Sequence, residues 1–150
     1  MCGRFPFTNP DELAERYHLT DIPADIKPRY NISPGQLVTA IIHEGTNNRV
    51  GQLQWGLIPS WAKDEKIAYR TINAKAETLL EKSAFKVPFI RKRYIIPADG
   101  FYEWKRVNGD KQPLRILMKD KRIQKHSLLH NRIPLVLKRS NAFAALAPVC

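Results

Sequence analysis

Phe101-Tyr102-Glu103-Trp104-Lys105-Arg106, then Val107-Asn108-Gly109-Asp110, then the run Pro113–Met118 decide the fold class. The first block is rich in aromatic residues, which suit a pleated, half-buried surface. Asn-Gly at the centre of the second accepts the positive φ angles of a two-residue hairpin turn. Pro113–Met118 then reads as the returning strand. Alternation along Phe101–Arg106 puts Phe101, Glu103 and Lys105 on one face.

Working outward, Gln36–His43 reads as a strand, Glu44–Asn48 as a turn and Val50–Trp55 as its partner, a second hairpin. Arg93–Pro97 and Ile133–Leu137 read as further short strands. Thr8 or Asn9 can cap a helix with Pro10 in its first position and acids in its first turn, running through Tyr17. Ala74–Lys82 favours a second short helix. Residues 21–35 carry Pro23, Pro28 and Pro34 and read as an extended loop, and Trp55–Trp61 as an aromatic-rich loop. No internal repeat or low-complexity segment interrupts the pattern. The expected class is α+β, mainly antiparallel β with short helices, with a distorted barrel as the closed variant.

A chain of 150 residues suits one domain, and 43% apolar against 26% charged residues excludes global disorder. No apolar run reaches the ~18 residues of a membrane helix, and the N-terminus lacks a signal-peptide pattern, so a cytoplasmic protein is expected. Cys2 and Cys150 are the two cysteines, with no C-x-x-C pair. They cannot alone supply a four-ligand zinc site, and no metal or cofactor is expected.

The formal net charge is +11, and it is one-sided. Residues 1–75 hold 9 Lys+Arg and 8 Asp+Glu, whereas residues 76–150 hold 16 and 6. Such asymmetry favours a polyanion, nucleic acid being the commonest, over a merely solvated basic face.

Five features could carry chemistry. Removal of Met1 would leave Cys2 with a free α-amine and a thiol, whose ordinary pKa values of ~7.7–8.0 and ~8.5 leave both partly reactive at neutral pH. A 1,2-aminothiol condenses with an aldehyde to a Schiff base and closes to a thiazolidine. It can equally be an N-terminal nucleophile for amide hydrolysis, or simply a small buried side chain. Glu103 among aromatic neighbours is expected to be desolvated and raised toward the range of a general acid or base; the alternative is an exposed edge residue paired with Lys105 or Arg106. Asn73, before the expected second helix, reads first as its N-cap and second as a ligand-orienting amide. His130 and Arg132 in His130-Asn131-Arg132-Ile133-Pro134 could move a proton and clamp a phosphate, or be solvated. Arg4 suits a phosphate beside Cys2. Trp55 and Trp61 would stack on unpaired bases if exposed, or fill the core if buried.

Met1-Cys2-Gly3-Arg4-Phe5, Tyr30-Asn31-Ile32-Ser33-Pro34, Trp55-Gly56-Leu57-Ile58-Pro59-Ser60-Trp61, Ile72-Asn73-Ala74-Lys75-Ala76-Glu77-Thr78, Pro97–Lys105 and His130–Pro134 together resemble, in order, the SOS-response-associated peptidase (SRAP) family of abasic-site processing proteins. The resemblance is dense over residues 2–118 and local over 130–137. It implies a SRAP-like domain over 1–150, barrel-like, with a positive groove for single-stranded DNA. It implies Cys2 as nucleophile after Met1 removal, linked to the ring-opened sugar of an abasic site. Asn73 would hold the sugar and the Cys2 amine, Glu103 would serve as acid/base, and His130 would act on the sugar oxygen. Arg4, Lys75 and Arg132 would hold phosphates and Trp61 a base. A role in DNA damage and the SOS response follows, with lyase-like and peptidase (hydrolase) activity, in a nucleoid-associated monomer.

The sequence departs from the family's pattern in three places. Lys75 stands where Arg is usual, so a bidentate grip becomes a point charge. Only residues 106–129 separate the Trp104 block from the His motif, where the family has several tens including central strands. The chain also stops at Cys150, where the family continues. The resemblance therefore implies an architecture shortened and incomplete over 119–150. The competing functions are an N-terminal-nucleophile cysteine peptidase, a non-catalytic DNA-binding module for modified cytosine, and an inactive truncated copy.

Overall fold

The computed structural model describes residues 3–92 and 94–117, and the backbone of 132–134 and 136–138. Its strands are β1 (Phe5–Phe7), β2 (Arg29–Ile32), β3 (Leu37–Glu44), β4 (Asn47–Trp55), β5 (Asn73–Lys75), β6 (Gly100–Val107), β7 (Asp110–Leu117), β8 (Arg132–Pro134) and β9 (Val136–Lys138). Its α-helices are α1 (Leu13–Tyr17), entered through a 3-10 turn at Pro10–Glu12, and α2 (Ser83–Arg91). The α+β class is borne out: the described strands form four small antiparallel sheets, β1-β2, β3-β4-β9, β5-β8 and β6-β7, none of them closed into a barrel.

Both hairpins read from the sequence are present. Asn108 and Gly109 carry φ angles of 52° and 92°, the paired positive values that a two-residue turn between twisted strands requires. The β3-β4 turn is tighter than expected, because pairing continues to Glu44↔Asn47. The expected helix after Asn9 is present, and His18 in the left-handed conformation ends it at Tyr17.

Three expectations are corrected. Ala74–Lys82 is not a helix: Asn73–Lys75 is drawn into a strand by pairing with 132–134, and only Ala76–Thr78 turns, as 3-10. Asn73 is therefore not a helix cap. The helix lies further on, at Ser83–Arg91, with Phe85 and Pro88 buried. Of the expected strand Arg93–Pro97, the described residues contribute an isolated bridge, Ile95 exchanging two backbone hydrogen bonds with Ile41 at 2.8 and 3.1 Å. The Ile133–Leu137 run divides between β8, on β5, and β9, on β4.

One core cluster gathers Phe5, Phe7, Leu13, Tyr17, Ile32, Val38, Leu53, Trp55 and Phe101 from β1, α1, β2, β3, β4 and β6. A smaller cluster, Leu57, Ala74, Leu79 and Phe85, seats α2. Among the described residues no helix is long and apolar enough to cross a membrane.

Candidate functional site

The N-terminal strand is the meeting point of the elements that carry the candidate residues. Its main chain lies along β6: the Asp99 N–H donates to the Pro6 carbonyl at 3.0 Å and the Tyr102 N–H to the Arg4 carbonyl at 2.9 Å. Thr8 reinforces this pairing, since both its N–H and its hydroxyl donate to Asp99 Oδ2, the hydroxyl at 2.6 Å. On the other side, the Phe5 ring lies 5.3 Å from the Trp55 ring, centroid to centroid. The Trp55 indole N–H donates to the Ile72 carbonyl at 3.1 Å, fixing the residue before Asn73. Residues 4 and 5 are thus tied to the Glu103 strand and to the Asn73 strand at once.

Trp55 is 1% exposed and belongs to the core, whereas Trp61 is 60% exposed. The loop between them is shaped by Gly56 and Thr71. Gly56 has φ +135°, and a Cβ there would stand 2.7 Å from the Ala68 carbonyl oxygen. The buried Thr71 hydroxyl can donate to the carbonyls of Leu57, Ile67 or Ala68, all within hydrogen-bond reach. The loop is thereby pinned to the 3-10 turn Glu65–Tyr69, and Asn73 follows directly.

Glu103 is half-buried in β6, opposite Leu114. Its aromatic neighbours in sequence do not surround it: alternation sends Tyr102 and Trp104 to the other face, leaving Phe101, Lys105 and Leu114 on its own. Asn73 is half-buried and Lys75 exposed in β5. Arg4 is half-buried, and its guanidinium donates to Asn31 Oδ1 at 2.9 Å. Register places Arg132 directly opposite Lys75 across β5-β8. Cys2 and His130 lie outside the described residues. No group of acids and histidines with metal-binding spacing occurs among the described residues.

Two features escaped the sequence. The Thr8–Asp99 pair joins positions 91 apart, and no local spacing announces it. Tyr30 and Tyr69, each 67% exposed, add aromatic surface beyond Trp61. Tyr30 lies in a motif quoted above, but nothing local marks its ring as exposed.

The family model described as SOS response associated peptidase (SRAP) matches residues 1–126. Abasic site processing protein YoqW of Bacillus subtilis (strain 168) is 51% identical over 123 residues, covering 79% of this chain and 55% of that protein. Abasic site processing protein HMCES of Xenopus tropicalis is 33% identical over 142 residues, covering 77% of this chain and 42% of that protein. The chain thus spans about half the length of the curated relatives it matches. A solved protein from Bacteroides thetaiotaomicron superposes with a TM-score of 0.64 at 21% identity, over 97% of this chain and 65% of that one, and shares the fold. The ordered motifs and the model match over most of the chain agree, and the protein belongs to the SOS response associated peptidase family.

Proposed function

We propose that this protein processes abasic sites in DNA, capturing the ring-opened sugar in single-stranded DNA as a covalent adduct on Cys2. The observation that carries the reading is the double tie of residues 4–5, to Tyr102 beside Glu103 and, through Trp55, to Ile72 beside Asn73. Covalent geometry keeps Cys2 within ~7 Å of Arg4. The reading assigns the nucleophile, the carboxylate and the amide to one neighbourhood. The names of the relatives support DNA abasic sites as the substrate class.

The chemistry is a condensation. With Met1 removed, the Cys2 amine adds to the sugar aldehyde at C1′, and loss of one water gives a Schiff base. The thiolate then adds to the same carbon, the nitrogen takes up a proton, and a five-membered thiazolidine closes. Glu103 is assigned proton transfer in ring opening and dehydration, Asn73 the holding of sugar and amine, and His130 the sugar oxygen. Arg4, Lys75 and Arg132 are assigned phosphates, and Trp61 a base.

Intact mass after mixing the full chain with abasic single-stranded DNA tests the reading. A denaturation-resistant adduct is expected, absent with undamaged DNA and absent in Cys2→Ala. Retention of Met1 in a fully active sample would sink the mechanism, because a blocked amine cannot form the Schiff base. Peptide turnover without DNA, and no adduct, would favour an N-terminal-nucleophile peptidase instead.

A further inference from the structure

The β6-β7 hairpin leaves the core as an arm. Phe101 is buried at its base, but Trp104–Arg106 and Asp110–Arg115 are exposed. Residues directly opposite in an antiparallel pair share a face. Register pairs Tyr102 with Arg115, Trp104 with Pro113 and Arg106 with Lys111. One face of the arm therefore carries three cations, an exposed Trp and no acid, while Glu103 lies on the other face. None of the three cations makes an ion pair among the described residues. Arg106 directly opposite Lys111 is a like-charge cross-strand pair, which destabilises a sheet unless an anion lies over it.

This face does not end at the arm. At its inner end the Tyr102 hydroxyl donates to the Tyr30 carbonyl at 2.9 Å, and its N–H donates to the Arg4 carbonyl. A cationic, aromatic face thus runs from Arg106 and Lys111 at the tip, past Trp104, to Tyr102, whose main chain adjoins that of Arg4 near the chain start. From Tyr102 to Arg106 it covers about 14 Å, the rise of about four phosphates along one DNA strand.

We propose that this face of the β6-β7 arm is a second DNA-contact track, gripping the sugar-phosphate backbone on one flank of the captured nucleotide through Arg106, Lys111 and Arg115. The inference rests on the DNA reading above but not on the chemistry at Cys2. Its occupant is DNA because the track is cationic, contains a base-sized aromatic surface and leads to the N-terminal segment.

The test is a salt titration of binding to undamaged single-stranded oligonucleotides, with the full chain, its triple variant Arg106→Gln/Lys111→Gln/Arg115→Gln, and an equal-charge control, Lys82→Gln/Lys86→Gln/Arg91→Gln, on and before α2. The arm variant is expected to reduce the slope of log K against log salt by about 2, at ~0.7 per lost phosphate contact. The control should change it much less. Abasic DNA at saturating concentration should still be converted to adduct at the unaltered rate by the arm variant. An arm variant with an unchanged slope, or a control losing as much, overturns the track while leaving Cys2 chemistry standing. No adduct with the unaltered chain, together with a loss of slope in the arm variant alone, overturns the chemistry and keeps the track.

Discussion

Asp99 Oδ2 accepts two hydrogen bonds from Thr8, one from its N–H and one from its hydroxyl, across 91 residues of sequence. Asp99 is 6% exposed, so this is a buried carboxylate holding the end of β1 against the start of β6. A hydrogen bond of this kind contributes about 0.5–1.5 kcal/mol net, and here there are two. The pair therefore fixes how the N-terminal segment meets the strand that bears Glu103.

Asp99→Ala should accordingly cost about 1–3 kcal/mol in chemical denaturation. Thr8→Val should cost about 1 kcal/mol, since only the hydroxyl bond is lost. Thr8→Ser should restore most of it. At saturating abasic DNA, Thr8→Val should also slow adduct formation without weakening DNA binding. A rate unchanged in a destabilised variant would mean that the pair serves the fold alone.

Tyr17 is buried in the core, and its hydroxyl finds no hydrogen-bond partner among the described residues. Burial pushes its phenol above the ordinary 10.0, and Arg16 partly offsets this. Tyr17→Phe should raise stability by about 1 kcal/mol, or about 2–4 °C in Tm, because an unmet polar group leaves the core. The sign with pH follows from the raised value. Below ~10 both folded and unfolded phenols are protonated and stability is flat; above it the unfolded state ionises first and stability falls. Thermal melts from pH 8 to 11 should show a shallower alkaline fall in the Phe variant. An equal fall would assign the alkaline loss to other groups, Tyr94 among them, whose phenol burial also raises.

How much was legible depends on whether the deciding contacts are local. The β6-β7 hairpin was readable because Asn108-Gly109 dictates its turn, and β3-β4 because apolar residues recur along Gln36–His43 and Val50–Trp55. Ala74–Lys82 misled because its helix-favouring composition is overruled at Asn73–Lys75 by pairing with 132–134. Helix α2 was hidden by Pro88, which ordinarily breaks a helix and here packs in its interior. Cys2, Asn73 and Glu103 were picked out from sequence, yet the Trp55 and Tyr102 hydrogen bonds that relate their neighbourhoods span 17 to 98 positions and leave no periodic trace.

Glu103→Gln should slow adduct formation about 10²–10⁴-fold, because the amide keeps the shape but cannot carry the proton. Fold stability should change little at a half-buried strand position. Single-turnover rates at saturating abasic DNA decide it: an unchanged rate would leave Glu103 a structural residue on the face it shares with Leu114.

Trp55 and Trp61 make the sharpest pair of opposites, since they bound one loop and differ in exposure, 1% against 60%. Trp55 packs on Phe5 and holds the Ile72 carbonyl, so Trp55→Ala opens a core cavity and strands that carbonyl. It should destabilise the fold by about 3–5 kcal/mol. Trp61 has little packing to lose, and Trp61→Ala should leave the melting temperature within about a degree. Its effect should appear in binding instead, weakening affinity for single-stranded DNA by about 1–3 kcal/mol, the worth of one stacked base. Because stacking is nearly independent of salt, the slope of affinity against salt should be preserved, unlike that of Arg4→Gln or Lys75→Gln. Anisotropy titrations at two salt concentrations separate the cases. A Trp61→Ala variant that binds as tightly as the unaltered chain would remove Trp61 from the DNA path and turn attention to Tyr30, Tyr69 and Trp104, the other exposed rings among the described residues.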